Sequence, residues 1–423
     1  MSEPTQRLIE SNGIRLNIAE QGEGPLVLLC HGFPESWYSW RHQIDALAAA
    51  GFRAVAPDMR GYGKSDRPEA IDQYTIFHLV GDLIGLLDAL AAPTAVIVGH
   101  DWGANVAWQA ARLRPDRFRA IVGLSVPYRV RGPVPPTSVM PRTADAQFYQ
   151  LYFQEPGVAE TELERDPHAT VRSSFYGASG EGAAAFRAAV KQSGVAPSVG
   201  MVPRGGGMLP GPEVPVPLPP WLSEADIDFY AAEFERSGFR GPLNYYRNVD
   251  RNWELLAAFA DVKVTVPALY IAGDHDMVLA APGTAEYLAN LKQFVPGLRD
   301  IQMLPGAAIG PSRSAQRRST RRSSISCAVF PAERPRMRRI GQRTRGTSEH
   351  LGFPRPKNSG SDEPWPVLSP SRKAASMPIR ARAGLRCIPR TSLIPRARSS
   401  TRIIISGIAA ASAICSRRWS PTS

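Results

Sequence analysis

One short segment constrains this chain more than any other, the run Val98-Gly99-His100-Asp101-Trp102-Gly103. The apolar residues 95–98 predict a buried strand, and residues 104–108 predict the first turns of a helix. Small residues two positions either side of Asp101 allow backbone to pack against backbone in a tight turn. The segment therefore predicts a strand–turn–helix unit whose sharp turn presents one side chain, here a carboxylate, at the edge of a sheet.

The carboxylate of Asp101 has two interpretations. As a nucleophile it would open a strained or activated carbon centre and leave an alkyl ester, whereas a serine at this place attacks acyl carbons. As a helix N-cap it would accept a main-chain N–H of the helix that follows. The residue alone leaves the two interpretations even, and Gly103 favours the nucleophile because the turn needs small residues near it.

A second loop is predicted to lie beside this turn. The run Leu26–Cys30 indicates a buried strand, and it ends in His31-Gly32-Phe33-Pro34. Parallel strands present such loops at the same edge of the sheet, where ligands bind. The main-chain N–H groups of Phe33 and Trp102 would then point at a developing oxyanion, and losing one such donor typically costs about 10²–10³ in rate. Taken by itself, the loop could be an ordinary tight turn, but its pairing with the turn at Asp101 favours a site.

Four segments together resemble the soluble epoxide hydrolases, which are capped α/β-hydrolases. The resemblance runs from about Ile9 to Gly306. The segments that carry it are HGFPESWYSW (31–40), GHDWG (99–103), YQLYFQEPGVAE (149–160) and GPLNYYRNVDRNW (241–253). It implies an α/β fold with a doubly wound, mostly parallel sheet and an inserted helical cap. It also implies a small-molecule epoxide and water as reactants, with no metal and no organic cofactor.

The resemblance also assigns roles to individual residues. An acid should follow a later strand, and the family pattern places it at Asp276, with Asp274 as the alternative. Two phenols that help to open the epoxide correspond to Tyr149 and Tyr246. Tyr152 and Tyr245 lie close enough in sequence to compete for the same roles. The residues expected to line the substrate pocket, besides Trp102, are His31, Trp37 and Phe153.

Alternating strand and helix patterns divide the chain. The apolar run at 52–56, the helical spacing at 75–91 and the run at 119–124 predict a doubly wound sheet. The alternation stops over a polar helical stretch with a Pro/Gly-rich loop at 202–220, and it resumes with strands near 264–273 and 301–304. The predicted divisions are a first core part (1–127), a helical cap (128–252), a second core part (253–306) and a basic, low-order tail (307–423).

Charge is distributed unevenly and excludes one function class for the core. Of the 50 Lys and Arg residues, 24 lie after residue 300, but only 4 of the 38 Asp and Glu residues do. The first 300 residues therefore carry a net charge of −8, which argues against nucleic-acid or membrane binding by that part. Cys30 is the only cysteine there, and no cysteine spacing suggests zinc or disulfides. Because the N-terminus has no signal-peptide pattern, we expect a cytoplasmic protein.

One further motif suggests nucleotide binding but lacks a residue that such a site requires. The run Gly61-Tyr62-Gly63-Lys64-Ser65 resembles a phosphate-binding loop, but Asp58 stands where that loop requires its first glycine. We therefore expect an ordinary loop and no nucleotide.

The third member of the catalytic triad is missing. The family places a histidine in a Gly-His-Trp motif after the last strand, where this chain has Pro305-Gly306-Ala307-Ala308-Ile309. Back-translated with chosen synonymous codons and read two bases later, residues 307–327 regain that motif and a closing amphipathic helix. The Arg/Ser/Pro-rich tail is typical of a GC-rich gene read out of frame, which favours a frameshift over a genuine disordered basic extension.

These observations predict an epoxide hydrolase that acts through an Asp101 ester and is impaired in turnover by the missing histidine. Two alternatives stay open. A haloalkane dehalogenase shares the Asp-Trp-Gly turn but holds a halide with ring N–H donors and does not require cap phenols. A non-catalytic remnant of the fold would bind ligands without turning them over.

Overall fold

The central strands of this protein are short, largely apolar runs. The computed structural model describes residues 3–193, 200–209, 213–280, 283–305 and 307. The strands in chain order are β1 (Thr5–Ser11), β2 (Ile14–Gln21), β3 (Leu26–Cys30), β4 (Arg53–Pro57), β5 (Ala95–His100), β6 (Phe118–Leu124), β7 (Ala146–Phe148), β8 (Met201–Pro203), β9 (Ala268–Gly273) and β10 (Leu298–Leu304).

Eight of these strands form one sheet in the order β1-β2-β4-β3-β5-β6-β9-β10. Strands β4, β3, β5, β6, β9 and β10 pair in parallel, while β1 and β2 pair antiparallel with each other and β2 pairs antiparallel with β4. The predicted α/β fold with a doubly wound, mostly parallel sheet is confirmed. The antiparallel β1–β2 pair was not anticipated from the sequence.

The central strands are apolar throughout because both faces of the sheet are covered. Leu26, Leu28 and Cys30 of β3 lie in one apolar cluster, whereas Val27 and Leu29 lie in the cluster on the other face. The same alternation holds along β5. A continuous apolar run is what a parallel strand with two covered faces requires.

Eleven α-helices accompany the strands in the described residues. They are α1 (Arg41–Ala49), α2 (Ile76–Ala89), α3 (Trp102–Leu113), α4 (Tyr149–Tyr152), α5 (Val158–Leu163), α6 (Pro167–Gly177), α7 (Gly180–Ser193), α8 (Glu224–Ser237), α9 (Arg240–Arg247), α10 (Val249–Leu255) and α11 (Thr284–Ala289). The stripe predicted at 75–91 forms α2, whose residues at helical spacing, such as Leu79, Leu83 and Leu86, are fully buried.

Helices α4–α10 and the small antiparallel sheet β7–β8 lie between β6 and β9 in the chain. The predicted Pro/Gly-rich loop at 202–220 therefore begins within a strand, β8, which the sequence pattern did not indicate. Polar contacts tie this inserted segment to the sheet: Arg41 is paired with Asp226 of α8 at 2.9 Å, and the Tyr245 hydroxyl of α9 donates to the Arg60 carbonyl at 2.9 Å. These contacts bring α8 and α9 against the loops that follow β3 and β4.

Within the described residues, no helix is both long and apolar enough to cross a bilayer. The predicted low-order tail lies, apart from Ala307, outside the described residues. Ala307 itself is buried, and its carbonyl accepts the main-chain N–H of His275 at 2.9 Å.

Candidate active site

The turn between β5 and α3 holds Asp101 in a conformation that few side chains adopt. Its φ is 52° and its ψ is −118°, a region that costs a non-glycine residue on the order of 1–3 kcal/mol. A Cβ added to Gly99 would overlap the carbonyl of Gly103, and one added to Gly103 would lie 2.6 Å from the His31 carbonyl. Both glycines are therefore required by close backbone packing, as an elbow predicts.

The Asp101 side chain does not cap the helix that follows, although the residue occupies the N-cap position of α3. Its Oδ1 instead accepts the main-chain N–H of Phe33 at 2.9 Å. Burial raises the pKa of Asp101, although the charge of His100 and the N–H groups of Phe33 and Trp102 act to lower it. The Asp101 carboxylate thus lies within reach of the two main-chain donors expected from the sequence, and the Phe33 N–H is bonded to Oδ1.

The loop that carries Phe33 is held rigidly by His31 and Gly32. The His31 ring is buried, accepts the Met59 N–H on Nε2 at 3.0 Å, and has its Nδ1 2.9 Å from the Gly32 carbonyl. Burial lowers the pKa of His31 to about 4, so the ring is neutral and Nδ1 is its donor. Both nitrogens are occupied by backbone, which suits a scaffold residue. Its predicted place in the substrate pocket stays a prediction.

A buried ion pair behind the loop was missed by the sequence reasoning. Glu35 accepts the Gly32 N–H at 2.9 Å and lies 3.1 Å from Nδ1 of His100. Burial disfavours both charges, but His100 outweighs it and lowers the pKa of Glu35, while Glu35 raises the pKa of His100 to about 9. A protonated imidazole therefore stands next to Asp101 in the chain. Both residues lie inside segments already singled out, but 65 positions apart.

Aromatic residues from the inserted segment close over the elbow. The ring of Tyr246 lies 5.6 Å from that of Phe33, 5.1 Å from Trp102 and 6.0 Å from Tyr149, centroid to centroid. Phe153 completes the group at 5.0 Å from Tyr246. Burial raises the pKa of Tyr149 to about 12 and holds that of Tyr246 well above its ordinary value, and the charge of Asp101 adds to both effects. Both phenols therefore keep their protons at neutral pH and can donate.

The competing tyrosines have their hydroxyls committed elsewhere. The Tyr152 hydroxyl donates to a Glu162 carboxylate oxygen at 2.7 Å, and that of Tyr245 donates to the Arg60 carbonyl at 2.9 Å. The Tyr149 hydroxyl instead accepts an N–H of the neighbouring Gln150 at 3.0 Å, which leaves its own proton for another acceptor. These bonds favour Tyr149 and Tyr246 as the two donors.

Burial separates the two candidate acids after β9. Asp274 is exposed, whereas Asp276 is 4% exposed. Oδ1 of Asp276 accepts the Val278 N–H at 2.8 Å, while Oδ2 is buried without a hydrogen-bond partner among the described residues. Burial raises the pKa of Asp276 to about 6. The Ser125 side chain and the charge of His100 act to lower this pKa, against the larger effect of burial. A buried carboxylate oxygen without a hydrogen bond is destabilising, and no histidine of the described residues forms one with Oδ2.

One predicted pocket residue lies apart from the group. The ring of Trp37 contacts Tyr38 and Phe229 at 5.7 and 5.9 Å and belongs to the apolar cluster on the other face of the sheet from Trp102 and Phe153. Its main-chain N–H donates to Asp58 at 3.1 Å. The described residues contain no group of three or more His, Cys, Asp or Glu side chains that could hold a metal ion.

Comparisons with known proteins agree with this geometry. Residues 25–307 match the family model of the alpha/beta hydrolase fold. The chain is 49% identical over 284 residues to epoxide hydrolase A of Mycobacterium tuberculosis, which covers 66% of this chain and 84% of that protein. It is 43% identical over 302 residues to epoxide hydrolase 3 of Siraitia grosvenorii, covering 71% and 90% of the two chains.

A solved structure supports the same assignment. The epoxide hydrolase from an endophytic Streptomyces superposes with a TM-score of 0.72 at 42% identity, over 78% of this chain and 97% of that one. Together with the match to the fold family, these relatives show that the chain belongs to the epoxide hydrolases of the α/β-hydrolase fold.

Proposed function

We propose that this protein opens an epoxide through a covalent ester on Asp101 and that its release of the diol is impaired. One observation supports the formation of the ester on Asp101. The Asp101 side chain does not cap helix α3, and its Oδ1 accepts the Phe33 N–H at 2.9 Å instead. The residues of the inserted segment around Tyr246 act as a cap over this carboxylate. We propose that this cap comprises residues 128–252.

In the first step the free oxygen of Asp101 attacks one epoxide carbon, and the carbon–oxygen bond of the ring breaks. Tyr149 and Tyr246 donate to the departing oxygen, and one of them delivers its proton. Acid catalysis of this kind contributes roughly 10²–10⁴ in rate. The aromatic rings of Phe33, Phe153 and Trp102 around the phenols favour a substrate with an apolar substituent.

In the second step water attacks the ester at the carbonyl carbon of Asp101. Its Oδ1 is then the carbonyl oxygen and already accepts the Phe33 N–H, while the Trp102 N–H acts on the same carboxyl group. The negative charge that develops there is stabilised without rearrangement, which is the largest single contribution in many such reactions. Cleavage of the ester bond then releases a vicinal diol.

This second step needs a base on the water, and Asp276 has no imidazole to orient among the described residues. Its buried, unpartnered Oδ2 is what the loss of that imidazole would leave. Losing a triad base costs up to about 10⁶ in turnover. We attribute the loss to a frameshift after Gly306, which would also make residues 307–423 a non-native tail.

The two alternatives gain less support. A dehalogenase would use the Trp102 ring N–H to hold a halide. In this structure a hydrogen bond from the Trp102 side chain to the Tyr246 hydroxyl lowers the pKa of Tyr246, against the larger effect of burial. A non-catalytic remnant would not need the strained turn at Asp101 to be retained. The cytoplasmic location expected from the sequence stays a prediction.

Mass spectrometry of the 423-residue chain treated with an aryl epoxide such as styrene oxide tests the proposal. We expect one adduct of the epoxide's mass on the peptide that contains Asp101 and none on the Asp101→Asn variant. The Asp274→Asn variant, which removes an exposed carboxylate, serves as the matched control and should form the adduct. An adduct on another residue would remove Asp101 as the nucleophile.

A further inference from the structure

A pocket lies beside the loop that follows β4, and none of the residues assigned above to the active site lines it. It has a volume of about 370 Å³ and is lined by Arg15, Gly63, Lys64, Ser65, Asp66, Arg67 and Arg236. Four of these seven residues carry a cationic side chain and one carries a carboxylate. Arg15 lies in β2, residues 63–67 lie in the loop that follows β4, and Arg236 lies in the last turn of α8. The pocket therefore spans the sheet and the inserted segment.

Two of the four cations already have a carboxylate partner. Arg15 forms a fork with Asp66, with Nη2 and Nε at 2.9 and 3.2 Å from the two oxygens. Arg236 is paired with Glu233 on the same helix. The remaining two cations, Lys64 and Arg67, form no salt bridge within the described part of the chain, so their charges are the ones available to a ligand.

Neutral oxygens are the current partners of these two cations. Lys64 donates to the side-chain oxygen of Gln6 at 3.0 Å, and Arg67 donates to the main-chain carbonyl of Arg236. Both side chains are exposed. An anion that entered the pocket would exchange these neutral acceptors for a charged one, and hydrogen bonds between ionised partners are roughly twice as strong.

The backbone of the same loop is not available for binding. The N–H of Lys64 donates to Asp58 at 3.2 Å, that of Ser65 to the Tyr62 carbonyl at 3.0 Å, and that of Gly61 to the Asp66 carbonyl at 3.0 Å. A phosphate loop instead aims its free N–H groups at the ligand. Recognition here would depend on side chains.

We propose that this pocket binds a phosphate group through Lys64 and Arg67, with Arg236 as a further cation in its lining. A phosphate carries up to two negative charges and has three or four acceptor oxygens, which suit an ammonium and a guanidinium fork together. The volume leaves room for an organic group beside the phosphate, so the source is either inorganic phosphate or a small phosphate monoester. This site is separate from the epoxide chemistry and does not depend on it.

Isothermal titration of the 423-residue chain with inorganic phosphate and with phenyl phosphate tests the proposal, and phenol is the uncharged control. The test variant is Lys64→Gln/Arg67→Gln. The matched control is Lys292→Gln/Arg251→Gln, which removes the same two charges from exposed positions outside the pocket. Both variants keep the 24 cationic residues after residue 300, so binding of phosphate to those residues is the same in the two variants.

We expect the test variant to bind its phosphate ligand at least roughly tenfold more weakly than the unmodified chain, and the control variant to bind it as the unmodified chain does. Tighter binding of phenyl phosphate than of inorganic phosphate would identify a monoester as the source, and equal binding would identify the free ion. Equal losses in the two variants, or no saturable binding of either ligand to the unmodified chain, would overturn the proposal.

Discussion

Asp276 offers a thermodynamic test of the proposed loss of an imidazole, and this test requires no substrate. Burial raises its pKa from 3.8 to about 6, and one pKa unit corresponds to about 1.4 kcal/mol. The folded chain thus holds this proton more tightly than the unfolded chain. The stability contribution of Asp276 is largest below pH 3.8, falls as the pH rises to 6, and stays about 3 kcal/mol lower above that.

The Asp276→Asn variant cannot titrate, so its stability lacks this loss. The amide oxygen can still accept the Val278 N–H, which Oδ1 of Asp276 accepts at 2.8 Å. The new amide N–H₂ is buried and unpartnered, a cost of about 1–3 kcal/mol that does not depend on pH. The variant should therefore gain on the unmodified chain by about 3 kcal/mol between pH 3.5 and pH 7, whatever the offset.

Urea denaturation at a series of pH values measures that difference. Titration of other groups, such as Asp58 with a pKa raised to about 6 by burial, is common to both proteins and cancels. The Asp274→Asn variant is the control, because it removes an exposed carboxylate from the same loop and should show a much smaller change. If the stability difference for Asp276→Asn were the same at pH 3.5 and pH 7, a donor would already be neutralising Oδ2 and the reasoning would be wrong.

Three further predictions concern the residues around Asp101. Tyr246→Phe should slow single-turnover ring opening by roughly 10²–10⁴. Tyr245→Phe removes a hydroxyl that donates to the Arg60 carbonyl, so it should leave that rate nearly unchanged and cost about 1 kcal/mol of stability. Equal effects of the two changes on the rate would contradict the assignment of Tyr246 as a proton donor. Gly103→Ala should destabilise the fold by at least about 1–3 kcal/mol in urea, because the added Cβ would lie 2.6 Å from the His31 carbonyl, and a neutral result would mean that the elbow is looser than described. His100→Gln removes a positive charge that lowers the pKa of Asp101, so the acid limb of ester formation should move to higher pH, and an unmoved limb would show that His100 does not act on the nucleophile.

The sequence predicts the scaffold of the site well because the scaffold is local. The strand before Asp101, the helix after it and the glycines around it are contiguous, so their packing requirements can be read from one short run. The buried run at 26–30 is similarly decisive, since it must be covered on both faces wherever it lies. The choice of Asp276 over Asp274 depended on the resemblance to the epoxide hydrolases. The burial of Asp276 and the exposure of Asp274 support that choice.

The rest depends on contacts between distant segments. The Glu35–His100 pair joins residues 65 positions apart, and its charges depend on burial that a sequence does not display. The orientation of a ring is similarly hidden: Trp37 follows the Phe33 loop directly, but its side chain packs against Tyr38 and Phe229. Strand β8 was missed because three residues in a Pro/Gly-rich stretch carry too little periodicity.

We propose that the chain forms the Asp101 ester and then fails to hydrolyse that ester to the diol. The number of diol molecules formed per molecule of protein, measured while intact mass follows the ester, shows whether the chain stops at this step. The account predicts one equivalent of epoxide consumed, a persistent mass increase equal to the epoxide, and little diol. It also predicts repeated turnover once the reading frame after Gly306 is restored. Sustained diol production by the purified 423-residue chain, without accumulation of the ester, would contradict it.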